Sequence, residues 1–419
     1  MPATDSVEID DARRAVLERV EPLPAVPVQL DHALGRVLAE DVVCAHDLPP
    51  FDGSAMDGYA VRAADVRNAS AAAPVPLRVI GESRAGAPAQ VELAPGAAIA
   101  ISTGAQIPQG ADAVVRLEHT RAQRDSDNDS DSHSDGEQVE VLEAVPAGAE
   151  IRRAGEDVRA GARVIERGAR LGPAALGVLA SLGHTRPLCS SRPRLAVLTT
   201  GDELLAPGTQ GPPRQGMIRD SNSTSLAALA TQAGAEATAA GRIGDEPGAT
   251  RERIAAAAAA ADVTVICGGV SVGSHDHVRP SLHALGAEQV FWGLALRPGH
   301  PTWFGTLAGK PVFGLPGNPV SAMVTFLLLV APALQAMQGE RARRASISAV
   351  LDDAYEKPAG RAHAVRCTLH AGADGWHARP TGPQGSHVLT SMLRADALAI
   401  VPSAVSSVAA GERVEVVPL

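Results

Sequence analysis

Two glycine-bearing loops are the places where this chain could do chemistry. The apolar run Val263-Thr264-Val265-Ile266-Cys267 leads into Gly268-Gly269-Val270-Ser271-Val272-Gly273, followed by Ser274-His275-Asp276. About 45 residues later the chain reads Gly314-Leu315-Pro316-Gly317-Asn318-Pro319. A β-branched run ending in glycines predicts a buried strand that stops at a loop. Glycines there let backbone N–H groups approach an anion closely. Asn318 suits a helix N-cap and Pro319 the first helical position, so the positive end of a helix faces the same region. Four carboxylates, Asp202, Glu203, Asp245 and Asp276, fall beside predicted strand ends. Carboxylates next to a phosphate cradle need a counter-charge, and Mg²⁺ held by one or two of them plus substrate oxygens is the usual one. Such a set suits attack on a phosphoryl or nucleotidyl group. The chain has no Gly-x-x-x-x-Gly-Lys-Ser/Thr loop, no Gly-x-Ser-x-Gly elbow with a triad, and no serine or cysteine placed as a covalent nucleophile. His275, His277 and His300 lie close by in sequence, where a polar surface role competes with a direct one.

The elements that must position these residues alternate. Strands are expected at 195–198, 238–243, 263–267, 290–296, 302–306 and 312–315. Helices are expected from the Ile218-Arg219-Asp220-Ser221-Asn222-Ser223 segment to Gln232, and over 247–261, 276–285 and 318–337. Strand–helix alternation predicts a parallel sheet with helices on both faces, with ligands at the carboxyl ends of the strands. Upstream, apolar spacing predicts helices over 6–20, capped by Asp5 or Ser6, and over 31–41. A third helix is expected over 174–182, and 187–193 reads as a linker. Between them, short β runs at 59–62, 77–80, 98–102 and 113–117 with Gly/Pro turns predict a β-rich domain. Within it, Arg124 to Glu137 is an acidic low-complexity loop. Its alternating aspartates lack the glycine and terminal glutamate of a calcium loop. Arg341-Ala342-Arg343-Arg344 marks a boundary, after which the chain is β-rich to the end.

The net charge of −10 is concentrated in that acidic loop, which holds six acidic side chains and no basic one after Arg124. There is no basic cluster, and aromatics are 2% of the chain, so no nucleic-acid footprint is expected. The four cysteines are isolated, which argues against a disulfide framework or a cysteine zinc site. No 18-residue apolar run is free of breakers, and no signal-peptide core opens the chain, so a cytoplasmic protein off the membrane is expected.

Eight segments in order (FDGSAMDGYAVR from Phe51, ISTGAQIPQGADAVV, IRRAGED, TTGDEL, IRDSNS, GGVSVGSHD, RPGHP and GLPGNPVSA) resemble the molybdopterin molybdenumtransferase family, which includes bacterial MoeA and the gephyrin E domain. The resemblance implies a multidomain α/β and β fold. A split linking domain would occupy 1–50 and 151–189, with a β-rich domain at 51–150 that carries the acidic loop 124–138. An α/β domain resembling the molybdopterin adenylyltransferases would span 190–341, and a C-terminal β-barrel 342–419. It implies transfer of molybdate to adenylylated molybdopterin, with Mg²⁺ and release of AMP, in a homodimer. Molybdopterin adenylyltransferase and apo-molybdoenzymes are the expected partners. Carried over, Asp202, Glu203, Asp245 and Asp276 look like the metal-binding pocket, with Glu203, Asp276, Asp245 and Asp57 catalytic. Gly268, Gly269, Ser271 and Gly273 look like the pterin and phosphate loop. Thr103, Arg152 and Asp157 look like further contacts contributed with Asp57 by the partner subunit. Arg297, Pro316 and Pro319 look like the molybdate side, and Arg361 and Ser386 look like the contribution of the C-terminal domain. An adenylyltransferase or a non-catalytic pterin-binding scaffold are the competing readings. The family commonly places lysines where this chain has Gly293, Arg297 and His300. Molybdate binding is therefore expected to be weaker or more pH-dependent here.

Overall fold

The computed structural model describes residues 6–123, 137–244, 246–271, 276–341 and 346–419. Asp245, Gly273 and His275, with the bulk of the acidic loop, lie outside the described residues. Two compact units emerge: Asp41–Glu166, and Met1–Glu40 together with Arg167–Leu419.

The smaller unit is built on six strands: β1 (Gly58–Val61), β2 (Val75–Ser83), β3 (Ala97–Ile101), β4 (Ala113–Arg116), β5 (Thr120–Gln123) and β6 (Gln138–Val141). They form one sheet in the order β4-β1-β3-β2-β6-β5. Tyr59, Leu77, Val79, Val115, Val139 and Val141 pack into a core on one side of it. At Gly58 an added Cβ would run into the Val115 carbonyl, so this central strand needs glycine for the close approach of β4.

In the larger unit the second sheet comprises β7 (Arg194–Thr200), β8 (Glu236–Ile243), β9 (Val263–Cys267), β10 (Glu288–Trp292), β11 (Trp303–Leu307) and β12 (Lys310–Leu315), ordered β8-β7-β9-β12-β11-β10. The first four run parallel. β11 does not: it is antiparallel to both neighbours, and β10 beyond it returns to the direction of the first four. This corrects the expectation of parallel strands there. Only Ala308 and Gly309 join β11 to β12, and both have positive φ, +50° and +77°. A two-residue loop of that kind joins only antiparallel strands.

Helices α1 (Ile9–Leu17), α2 (Asn222–Gln232), α3 (Pro247–Ala260), α4 (Val278–Ala284) and α5 (Pro319–Met337) accompany this sheet. Helix α5 is long and apolar enough to cross a membrane, but 67% of its apolar window is buried in the protein. Phe326, Leu329, Val330 and Leu334 join Val197, Val265 and Phe313 in the main core. Its middle, Phe326–Val330, widens into a π-helical turn. Pro332 has no N–H for the Leu328 carbonyl, and the Arg13 Nε supplies one from α1 at 3.3 Å. At the other side of the sheet, Lys310 Nζ donates to the carbonyls of Ala258 (3.0 Å) and Ala261 (2.7 Å), closing the C-terminal end of α3.

The C-terminal strands β13 (Ile347–Leu351), β14 (Ala362–Gly372), β15 (Gly375–Pro380), β16 (Ala397–Val401) and β17 (Arg413–Pro418) pair as β14-β15-β13-β17-β16 and back to β14. The ring is closed, a five-stranded barrel around Ala349, Leu351, Val365, Ala399 and Val416.

Local corrections follow from tertiary context. The helix expected over 31–41 is a single 3₁₀ turn, Leu30–His32. The first helix begins at Ile9, not near Ser6, and Glu8 at its N-cap makes no side-chain cap bond. The linker expected at 187–193 contains a strand, Leu188–Ser190, paired with Ala25–Pro27.

Candidate functional site

Four parallel strands carry their loops to one sheet edge. The register sets Thr199 beside Cys267, Cys267 beside Leu315 and Thr200 beside Ile243, so the segments after each emerge together. These are Gly201-Asp202-Glu203, Gly244, Gly268-Gly269-Val270-Ser271 and Pro316-Gly317-Asn318-Pro319. The Gly268 N–H donates to the Leu315 carbonyl at 2.9 Å, and a Cβ on Gly317 would lie 3.6 Å from the Gly268 Cα. The two glycine loops are therefore in contact. Pro319 is the first residue of α5, with Asn318 extended at the N-cap as expected, although its side chain makes no cap bond.

Side chains of the Ile218–Ser223 segment hold this edge in place. Asp220 is buried and accepts from the Thr199 hydroxyl at 2.8 Å and the Ser223 N–H at 3.0 Å. Asn222 Nδ2 donates to the Gly317 carbonyl at 2.7 Å and lies 3.1 Å from Cys267 Sγ. The Cys267 thiol in turn donates to the Pro316 carbonyl at 3.1 Å, and burial pushes its pKa up strongly. Asn222 Oδ1 is buried with no hydrogen-bond partner among the described residues. Sequence reasoning read this segment as a helix start and as one of the eight resembling segments, with no role for Asp220 or Asn222. The juxtaposition of an aspartate and an asparagine two apart at the head of a helix was the available signal for a clamp.

Backbone conformation explains the glycines. Gly268 has φ +96° and Gly269 φ +65°. A Cβ on Gly268 would sit 2.6 Å from Thr200 Oγ1, and one on Gly269 2.8 Å from Val278 Cγ2. Only a residue without Cβ fits either position. Gly201 has φ +136°, and the Glu203 carboxylate folds back over it. One Asp202 oxygen lies 3.1 Å from where a Cβ of Gly244 would be. Asp202 and Glu203 thus reach the edge of β7 and β8. Asp276 is half-buried immediately before His277, the N-cap of α4, and the Val278 N–H donates to the Gly269 carbonyl at 3.3 Å. Glu246 caps α3, accepting from Ala249 N–H at 2.6 Å and Gly248 N–H at 3.0 Å. Those N–H groups, aided by nearby His277, hold its carboxyl below the usual range. Among the described residues, Asp202, Glu203, Ser271, Asp276, Gly268, Gly269, Pro316 and Pro319 therefore share this edge of the fold.

The residues expected from the C-terminal side divide. The Ser386 carbonyl accepts the Val320 N–H at 3.1 Å, so Ser386 abuts the first turn of α5. Arg361 is exposed, and its carbonyl accepts from Lys357 Nζ at 2.9 Å. Arg297 lines a cavity of about 330 Å³ with Tyr355, Glu356, Lys357, His363 and Arg366. Lys357, His363 and Arg366 are buried. Arg366 donates to Ser391 Oγ (3.1 Å) and the Gly385 carbonyl (3.2 Å), and Tyr355 Oη lies 3.1 Å from His363 Nδ1. The buried cations thus spend N–H groups on carbonyls and a hydroxyl. Burial, with Arg297 and Lys357 nearby, lowers the His363 pKa to about 4. Burial also lowers those of Lys357 and Arg366. Sequence reasoning missed all three residues, which come from separate strands and loops without a shared local motif. Gly293 has φ +94°, and the His300 ring packs 3.4 Å from its Cβ position while His300 Nδ1 donates to the Leu294 carbonyl at 2.8 Å. A side chain at 293 would be strained in this backbone.

In the smaller unit, Asp57 Oδ1 accepts both the Thr103 N–H (2.6 Å) and hydroxyl (3.0 Å), which hold its carboxyl below the usual range. Arg152 is exposed and pairs in register with Gly53, next to Ser54, whose carbonyl accepts the Gly104 N–H. These three share one loop cluster. The Asp157 N–H donates to the Leu48 carbonyl at 3.1 Å. Asp52 accepts from the Ala154 N–H at 2.8 Å and from Arg153 at 2.7 Å, fastening the 151–157 loop.

Comparison with known proteins is consistent along the whole chain. Residues 7–183 match the MoeA N-terminal region (domain I and II), 196–336 a probable molybdopterin binding domain, and 348–419 the MoeA C-terminal region (domain IV). The chain is 34% identical to the molybdopterin molybdenumtransferase of Haemophilus influenzae, covering 98% of each chain. It is 37% identical to molybdopterin molybdenumtransferase 2 of Mycobacterium tuberculosis, covering 97% of this chain and 98% of that one. The crystal structure of the molybdopterin biosynthesis MoeA protein from Pyrococcus horikoshii OT3 superposes with a TM-score of 0.83 at 30% identity, covering 99% of this chain and 100% of the other. With all three regions matched in order and full-length relatives above 30% identity, the chain belongs to the molybdopterin molybdenumtransferase (MoeA) family.

Proposed function

We propose that this chain is a transferase of molybdenum cofactor biosynthesis that inserts molybdate into adenylylated molybdopterin, with Mg²⁺-dependent release of AMP. The observation that carries it is the meeting of glycine loop, carboxylates and helix start at the carboxyl ends of four parallel strands. With the Gly268 N–H engaged on Leu315 and the Val320 N–H on Ser386, the Gly269 N–H and the positive end of α5 are what this edge presents to the pyrophosphate. Asp202, Glu203 and Asp276 supply hard oxygen donors, which fit Mg²⁺ because that ion takes one or two protein carboxylates and keeps its waters. When bound, Mg²⁺ would offset the charge of the pyrophosphate being cleaved. Molybdate is a tetrahedral oxyanion, and the cavity lined by Arg297, Lys357 and Arg366 offers guanidinium forks and an ammonium that suit it. The protein is read as a cytoplasmic homodimer in which the Asp57–Thr103 cluster of one subunit serves the sheet-edge site of the other.

The test is AMP release from adenylylated molybdopterin and Mg²⁺, with and without molybdate, for wild-type and Asp276→Ala protein. Molybdate-dependent release that is lost in the variant is expected. Pterin binding without molybdate-dependent release would refute the insertion reaction.

A further inference from the structure

The C-terminal barrel carries a cluster that the proposed chemistry leaves unused. His370 on β14 and His377 on β15 stand directly opposite each other in register, their ring centroids 5.2 Å apart. Asp352, the residue after β13, is fixed beside them because its N–H donates to the Ala378 carbonyl at 3.0 Å. His377 Nδ1 is 2.9 Å from Asp352 Oδ1, and His370 Nε2 is 3.6 Å from Asp352 Oδ2. One ligand atom from each of the three lies within 4.8 Å of the others, and among the described residues this is the one such trio.

We propose that Asp352, His370 and His377 bind a divalent transition metal ion of the zinc class. Two imidazoles and one carboxylate are a borderline donor set that suits Zn²⁺, Co²⁺ or Ni²⁺ and disfavours Mg²⁺ and Ca²⁺, which take oxygen ligands. The surroundings already hold the ligands from outside. His377 Nε2 lies 2.7 Å from Asp374 Oδ1, so Asp374 accepts the outer N–H and leaves Nδ1 turned inward as the donor atom. Arg379 Nε lies 3.1 Å from Asp352 Oδ2 and orients that carboxylate. Oδ2 is buried, and its ion pair with Arg379 is not aligned as a hydrogen bond, which leaves a lone pair for a bound ion. His370 is about half exposed, which gives an ion access from solvent. Zinc bonds of about 2.0–2.2 Å require the three atoms to close together, and a rotamer change of exposed His370 supplies most of that movement. Three protein ligands leave a fourth position for water or an external donor.

Metal-free full-length protein should be titrated with Zn²⁺ by calorimetry, and with Co²⁺ by visible absorption, alongside His370→Gln and Asp374→Asn. One equivalent of Zn²⁺ per chain is expected, not displaced by excess Mg²⁺. His370→Gln should weaken it by about 100-fold, and Asp374→Asn by about 10–100-fold as an outer partner. Zn²⁺ should raise the thermal midpoint of the wild type and leave that of His370→Gln unchanged. His370 carries no hydrogen bond that the fold needs, and matching metal-free melts of the two proteins check this. Absence of Zn²⁺ binding in the wild type, or equal binding in His370→Gln, would overturn the site.

Discussion

At Gly268 a single hydrogen in place of a methyl group decides whether the loop can exist. Gly268→Ala would bring Cβ to 2.6 Å from Thr200 Oγ1 in a left-handed backbone. Pterin nucleotide affinity should fall at least tenfold while the far-ultraviolet spectrum stays wild-type; unchanged affinity would mean that the loop does not contact the ligand. His363 offers a different kind of test. Unfolded, it takes up a proton near 6.5; folded, burial delays this to about 4. Stability is therefore complete above pH 6.5 and falls as pH drops from 6.5 toward 4, by about 3 kcal/mol at the lower end. Urea midpoints at pH 7 and pH 5 should differ less in His363→Gln than in the wild type. The residues that stand in place of family lysines also belong here. Gly293 and His300 are structurally coupled, since the imidazole occupies the space beside the glycine. Molybdate affinity that falls between about pH 6 and about 8.5 would give His300 a part in anion binding, and a flat profile would deny it one.

At the scale of elements, legibility depended on how local the signal was. The strand at Val263–Cys267 and the glycines after it were readable because an apolar β-branched run and its punctuation are adjacent in sequence. So was the helix beginning at Pro319. The reversed direction of β11 was less visible, although the two-residue Ala308-Gly309 link required a hairpin. Ala308 sits at φ +50°, where asparagine is the better partner for glycine. Ala308→Asn should therefore stabilise the protein by roughly 0.5–1 kcal/mol in chemical denaturation. Of the cationic cavity only Arg297 was legible. Arg297, Lys357, His363 and Arg366 converge only after the short strand Leu296–Arg297 pairs with β14. The His370–His377 pair was hidden for the same reason: six residues separate partners that only a hairpin makes neighbours.

For the whole molecule, closure of the C-terminal sheet leaves its five barrel strands without a free edge, so contacts with another chain must be made through faces and loops. The dimer proposed above should appear as twice the 42.9 kDa chain mass in sedimentation equilibrium. A monomer at working concentrations, with activity retained, would remove the shared-site arrangement. Of 37 basic residues only Lys310 and Lys357 carry an ammonium. Lys310 is engaged at the end of α3, and Lys357 is buried beside the cavity with its ammonium on main-chain carbonyls. The folded chain is thus nearly silent to chemistry directed at side-chain amines. Acylating reagents and amine cross-linkers should modify it sparingly until it unfolds, so the rate of lysine labelling is a direct clock for opening of the larger unit.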